Sequence, residues 1–116
     1  MNEVSKPLFY TYHQNNSGGS FNVNDRVCPY VIIQAVSPRD ADRRAEDIGI
    51  YFNGVNEGND CPCCGDRWIE AWEDGTDQPL IYGQEPQNAE LHKWVKEGEV
   101  WCRIYYLDGI IKEYKN

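Results

Sequence analysis

Apolar and polar positions alternate unevenly along this chain, and the first ordered stretch they predict is a strand over Leu8–Gln14, LFYTYHQ, rich in aromatic and β-favouring residues. It stops in the loop NNSGGS. Strand character returns between Phe21 and Val36, where YVIIQAV forms a continuous apolar run of the kind a central strand needs when both its faces are covered.

The next segment carries the signals of a capped helix. Ser37 is placed to cap, Pro38 suits the first helical position, and Asp40 completes an S-x-x-D box. Ala41, Ala45 and Ile48 recur on one face, while Asp40 with Arg44 and Arg43 with Asp47 are spaced for pairs on the solvated side. Gly49 is the expected left-handed terminator. A short IYF segment and an Asn53-Gly54 turn follow.

Further on, RWIEAW predicts a strand, Asp74-Gly75 a turn, and PLIYG a short extended piece. PQNAELHKWVKEG predicts a second short helix, capped by Asn88 and ended by Gly98. EVWCRIYYL and IIKEYK flank Asp108-Gly109, which predicts a C-terminal hairpin closed by a two-residue turn. No repeat or linker interrupts the chain. The expected architecture is therefore one α+β domain over residues 1–116: a small, mainly antiparallel sheet, one well-capped helix packed on it, a candidate second short helix and a C-terminal β-hairpin.

Composition narrows the function classes. The formal net charge of −8 opposes general nucleic-acid binding and adhesion to anionic lipid, because both need a basic surface. Acidic mimicry of DNA relies on long acid-rich tracts, whereas here 19 acids are interspersed with 11 bases. The first residues lack the basic start and apolar run of a signal peptide, and nothing approaches the roughly 18 apolar residues of a membrane span. These features predict a soluble intracellular protein with no membrane partner. An odd count of five cysteines then points to thiols or metal rather than a disulfide framework.

Three of those cysteines fall in DCPCCGDRW. Cys61 and Cys64 have the C-P-x-C-G spacing that grips one zinc ion, yet a tetrahedral site needs two more ligands, and the chain offers only single candidates: Cys28, Cys102, His13, His92 or Cys63. Two other readings stand beside zinc. In one, the cluster is a tight turn shaped by Pro62 and Gly65, with Cys28 and Cys102 as small core residues. In the other it is a reactive thiol site, for which Arg67 supplies positive charge that Asp60 and Asp66 oppose. Beyond the thiols, Arg67 presents a planar donor fork and Trp68 a stacking face, a pair suited to phosphate or purine recognition. The alternative is a surface contact between Asp66 and Arg67 beside a core tryptophan.

YTYHQNNSGGS is the second candidate site. Tyr10, Tyr12, His13, Gln14, Asn15, Asn16 and Ser17 gather hydrogen-bonding groups around Gly18 and Gly19, where backbone amides can approach a ligand closely. The tract has neither a P-loop lysine nor the G-x-G-x-x-G spacing, so a polar connector between strands is the competing reading. His13 has no partner fixed by sequence, and no catalytic residue can be assigned. Binding is therefore favoured over catalysis.

FYTYHQNNSGGSF, SPRDADRRAEDIGIYFNGV and DCPCCGDRW together resemble a group of small, mostly uncharacterised proteins of tailed bacteriophages over residues 8 to 68, with YFNGV and the cysteine cluster the most specific part. The resemblance implies expression in the cytoplasm of a bacterial host and an accessory role. By analogy with small phage inhibitors of bacterial immunity, it points to sequestration of a nucleotide-derived signal, buried at the interface of a homo-oligomer without a cofactor. Inhibition of a host defence enzyme by direct contact, and enzymatic degradation of such a signal, are the alternatives.

Overall fold

Val31, Ile32 and Ile33 are all but inaccessible, and the rest of the molecule is arranged to cover them on both sides. The computed structural model describes residues 6–15, 21–71, 75–88 and 98–115. Four strands form one sheet in the order β1 (Leu8–His13), β2 (Tyr30–Ala35), β3 (Val100–Tyr105), β4 (Ile111–Lys115). β1 runs antiparallel to β2, β2 parallel to β3, and β3 antiparallel to β4. The parallel step requires a crossover, and α1 (Pro38–Asp47) lies within it. The α+β expectation is met, with one parallel pairing inside a mainly antiparallel sheet.

The side chains divide by strand parity. Tyr10, Tyr12, Val31 and Ile33 pack with Ala41 and Ala45 of α1 and with Ile50 and Trp68. Phe9, Tyr30, Ile32, Cys102 and Ile104 pack on the other face against Ile81 and Trp101. Each aliphatic side chain buried this completely contributes roughly 2 kcal/mol. The small alanine face lets α1 lie close to β2.

Helix signals in the sequence match the structure with one change of partner. The Ser37 hydroxyl accepts from the Asp40 amide at 3.0 Å, and the Asp40 carboxylate accepts from the Val36 amide at 3.1 Å. Arg44 pairs with Asp40 as expected, but Arg43 pairs with Asp40 rather than Asp47, at 2.7 Å. A buried carboxylate attracts both guanidinium groups more strongly than a solvated one. Gly49 takes the left-handed conformation at φ 101°.

Other expectations are corrected. The strand foreseen from Phe21 starts only at Tyr30, because Asn24 turns the chain by accepting from the amides of Arg26 and Val27, and Pro29 lacks a ladder donor. The described part of RWIEAW, Arg67–Ala71, forms no strand, although the Asn15 amide, two residues beyond β1, donates to the Arg67 carbonyl. The hairpin loop has three residues rather than two. Tyr106 donates to the Ile110 carbonyl, Gly109 donates back to Tyr106, and Gly109 adopts φ 93°, the pattern of a turn closed by a left-handed bulge residue. Pro86–Asn88 forms a short 3₁₀ turn, and the remainder of the expected second helix up to Gly98 lies outside the described residues.

Candidate functional site

The two tracts singled out in the sequence meet, through residues 49 to 53 positions apart. Asn15 donates through Nδ2 to the Cys64 carbonyl at 2.7 Å and to the Asp66 carbonyl at 3.3 Å. Gln14 is buried; its Nε2 donates to the carbonyls of Asn22 and Cys28, and its Oε1 accepts from the Arg67 guanidinium at 2.8 Å and from the Asn22 amide. The polar tract is thus the clamp that holds the cysteine loop.

Arg67 belongs to the interior of that junction. It is 8% exposed, and its Nε lies 3.8 Å from Oδ1 of Asp60, whose side chain is fully buried. Asp60 also accepts from the Arg67 amide at 2.7 Å and from the Tyr51 hydroxyl at 2.6 Å. Burial first, and then this bond to Asp60, raise the pKa of Tyr51. Gly54 is required beneath the carboxylate: a Cβ there would stand 1.9 Å from Asp60 Oδ2. YFNGV therefore shares its constraint with DCPCCGDRW, since Gly54 leaves the space that Asp60 fills.

The stacking face expected of Trp68 is enclosed, and so are the rings of Tyr10 and Tyr12 from the polar tract. Trp68 is 1% exposed and Tyr12 2% exposed, and both sit in the core with Tyr10. The Tyr12 hydroxyl donates to Asp42 of α1 at 2.7 Å, so this ring ties the helix to β1. A buried ring offers no face to a ligand, which moves base stacking away from these three residues. Asn16, Ser17, Gly18 and Gly19 lie outside the described residues.

The open site is instead the outer edge of β1. Gln14 donates to Pro29, so the even-numbered residues of β1 direct their backbone groups at β2 and the odd-numbered residues direct theirs away. Phe9 exchanges two hydrogen bonds with Thr76, at 2.8 and 2.9 Å, and Asn15 donates to Arg67 at 2.8 Å. Gly75 permits the first of these clamps, because a Cβ there would meet Leu8 and Tyr10 within 3 Å. Between the two clamps, the outward amides and carbonyls of Thr11 and His13 have no backbone partner among the described residues.

A cleft of about 420 Å³ lies along this stretch. Ile69, Glu70 and Ala71 line it together with Leu80, Ile81 and Tyr82, and the Thr11 hydroxyl closes one side by donating to the Leu80 carbonyl at 2.6 Å. The ring of His13 stacks on that of Tyr30, with centroids 5.9 Å apart and planes at 22°. Tyr82 stands edge-on to both. Partial burial lowers the pKa of His13, which keeps its imidazole neutral near pH 7. No Lys or Arg is among the described residues lining the cleft.

Tyr82 has a backbone conformation that tyrosine seldom takes. Ile81 and Gln84 form a reciprocal pair around Tyr82 and Gly83, whose φ values are 50° and 79°. Left-handed conformation at both central positions is the turn that Asn-Gly serves best. With tyrosine in the first, the turn carries a steric cost and projects a ring that is 70% exposed.

The thiols separate into two kinds. Cys28 and Cys102 are buried in the core; burial pushes the Cys28 thiol up to about 12, and that thiol donates to the Tyr30 carbonyl. Cys61 is half-buried while Cys63 and Cys64 are exposed. Cys61 has a lowered pKa, first through the Cys63 amide and then through the Cys64 thiol and amide. Among the described residues, no three His, Cys, Asp or Glu side chains are grouped to hold a metal ion, and no helix is long and apolar enough to cross a membrane.

Sequence reasoning missed Thr11, Tyr30, Ile69, Glu70 and Tyr82 as cleft residues. The available signal was Tyr82-Gly83 between apolar residues, a turn pair with an aromatic where asparagine is expected. No curated protein and no solved structure matches the chain. A family model described as a domain of unknown function, DUF7296, matches residues 7–116, and the chain belongs to that family.

Proposed function

We propose that the protein is a non-catalytic binder that sequesters a nucleotide-derived signalling molecule by taking its base into the cleft along β1. The observation that carries this reading is the outward backbone edge of Thr11 and His13, which has no backbone partner among the described residues, beside the rings of His13, Tyr30 and Tyr82. A nucleobase is flat and has donors and acceptors along one edge. An outward strand edge offers the complementary amide and carbonyl, and the exposed Tyr82 ring offers a stacking face. The volume of about 420 Å³ suits a base with part of its sugar.

The described lining has no cation, so in this reading the phosphates point to solvent or meet a second subunit, and the base supplies the recognition. The biological setting we infer is that of a phage accessory protein acting against bacterial immunity in the host cytoplasm, resting on the sequence resemblance. The test incubates purified protein with a mixture of nucleotide signals, removes free ligand, releases the bound fraction by heat and identifies it by mass spectrometry. Unchanged ligand retained by wild type and lost by Tyr82→Ala supports the reading. Chemically altered ligand, or retention unaffected by Tyr82→Ala, contradicts it.

A second reading draws on the apolar rim of the same cleft. Ile69 is 66% exposed and lines the same cleft as Tyr82 beside the outward edge of β1, an arrangement that also fits an extended peptide added to β1 by a host enzyme. That reading predicts no retained small molecule and a host protein that competes for Tyr82.

A further inference from the structure

We propose that Cys61 and Cys64 form a reversible redox modification site, which closes to an intramolecular disulfide by exchange with a low-molecular-weight disulfide. None of the five cysteines is in a disulfide, yet this pair already stands in the geometry that one needs. The Cys64 amide donates to the Cys61 carbonyl at 3.1 Å, and the Gly65 amide donates to the same oxygen at 3.0 Å. A turn closed in this way brings its first and fourth Cα atoms within about 7 Å. Disulfides span Cα separations of about 4.4–6.8 Å.

The same geometry selects between the three thiols of the turn. Cys63 and Cys64 are adjacent, and Cα atoms joined by one trans peptide are only about 3.8 Å apart, below the span of a disulfide. Cys63 stands two residues from Cys61, and on a helical turn side chains two apart do not face each other. First and fourth positions do, which leaves Cys61 and Cys64 as the pair.

Groups outside the turn hold it in this shape. Asn15 donates to the Cys64 carbonyl at 2.7 Å, Gly65 turns the chain at φ 86°, and Asp66 just beyond accepts from the Val55 amide at 2.9 Å. Closing the disulfide therefore adds a bond to a turn that is already formed. Exposure sets the order of attack, since Cys64 is exposed and Cys61 half-buried. The Cys64 thiolate attacks one sulfur of the small disulfide, breaks its S–S bond and releases the first thiolate. Cys61 then attacks the Cys64 sulfur of the mixed disulfide and releases the second. Two protein thiols give up two electrons and two protons, and the small disulfide leaves as two thiols. Cys28 and Cys102, both 0% exposed, are out of reach of the reagent. In the reducing cytoplasm inferred above, a disulfide of this kind is transient and reports on oxidation rather than stapling the fold.

The experiment equilibrates the full chain, reduced beforehand and kept with a chelator so that no metal occupies the thiols, against mixtures of reduced and oxidised glutathione. Acid quenches the exchange, remaining thiols are alkylated, and peptide mass mapping locates each modification. The expected end product in wild type is a Cys61–Cys64 disulfide within one chain, reversed by excess reduced glutathione, with Cys28 and Cys102 still thiols. Its fraction should follow oxidised glutathione divided by the square of reduced glutathione, the dependence of an internal disulfide, because two small thiols are released. Cys63→Ser should give the same disulfide, and Cys61→Ser should stop at a mixed disulfide on Cys64. Circular dichroism of each variant shows whether it is folded. A mixed disulfide as the wild-type end product overturns the proposal, as does a disulfide that includes Cys63, a link between two chains, or a pair that stays reduced in oxidised glutathione alone. The wild-type map decides even where a variant does not fold.

Discussion

The ring of Tyr82 stands 6.1 Å from the ring of His13, centroid to centroid, on a backbone at φ 50°. A left-handed tyrosine is destabilising by about 1 kcal/mol, and the chain retains it where the ring reaches the edge of the β1 cleft. Strain of this kind is expected where a side chain's position serves function.

Replacing Tyr82 with asparagine should therefore raise stability while weakening binding. Asparagine tolerates the left-handed region and suits the first position of this turn, so Tyr82→Asn should gain up to about 1 kcal/mol in urea unfolding. The same variant should lose most ligand retention. A lower midpoint in urea would show that the ring supports the fold and would remove the strain argument.

Arg67→Ala should destabilise the protein rather than merely empty a binding site. It leaves the buried Asp60 carboxylate without its cationic neighbour and removes one of the two donors to the Gln14 side-chain carbonyl, a loss of about 3 kcal/mol. Urea unfolding measures this, and a change under about 0.5 kcal/mol would return Arg67 to the surface role expected from its sequence context.

Gly54→Ala should be costly for a related reason. The added methyl meets Asp60 Oδ2 at 1.9 Å, and Asp60 is fixed by Tyr51 and the Arg67 amide. A loss of about 2 kcal/mol is expected. An unchanged melting temperature would mean that the loop relaxes freely and that the carboxylate does not organise it.

How much of this was legible in sequence depended on range. The helix could be read because Ser37, Pro38, Asp40 and Gly49 act within a few positions of one another, and each does what its local chemistry requires. YVIIQAV was legible as the central strand because its burial is written in its composition. The cleft was not, since it exists only where Asn15 meets Arg67 and Phe9 meets Thr76. The interior position of Arg67 was hidden too. A charged Asp-Arg pair next to a turn looks solvated until Gln14 and Asp60 are seen to close around it.

Acidity should weaken the fold through His13. Its folded pKa lies below the ordinary 6.5 because partial burial disfavours the imidazolium. The unfolded chain thus takes the proton first: the contribution is fully present above pH 6.5, declines as pH falls below that value, and is lost once pH passes the folded pKa. His13→Phe should remove this part of the slope in a stability-against-pH profile. An identical profile in the variant would assign the slope to other groups.

The central claim concerns the outward edge of β1, and amide hydrogen exchange at Thr11 and His13 tests it most directly. With the retained nucleotide ligand bound, both amides should become protected, while Tyr10 and Tyr12, already directed at β2, should change little. Unchanged exchange at Thr11 and His13 in the saturated complex would contradict the account and place the ligand elsewhere.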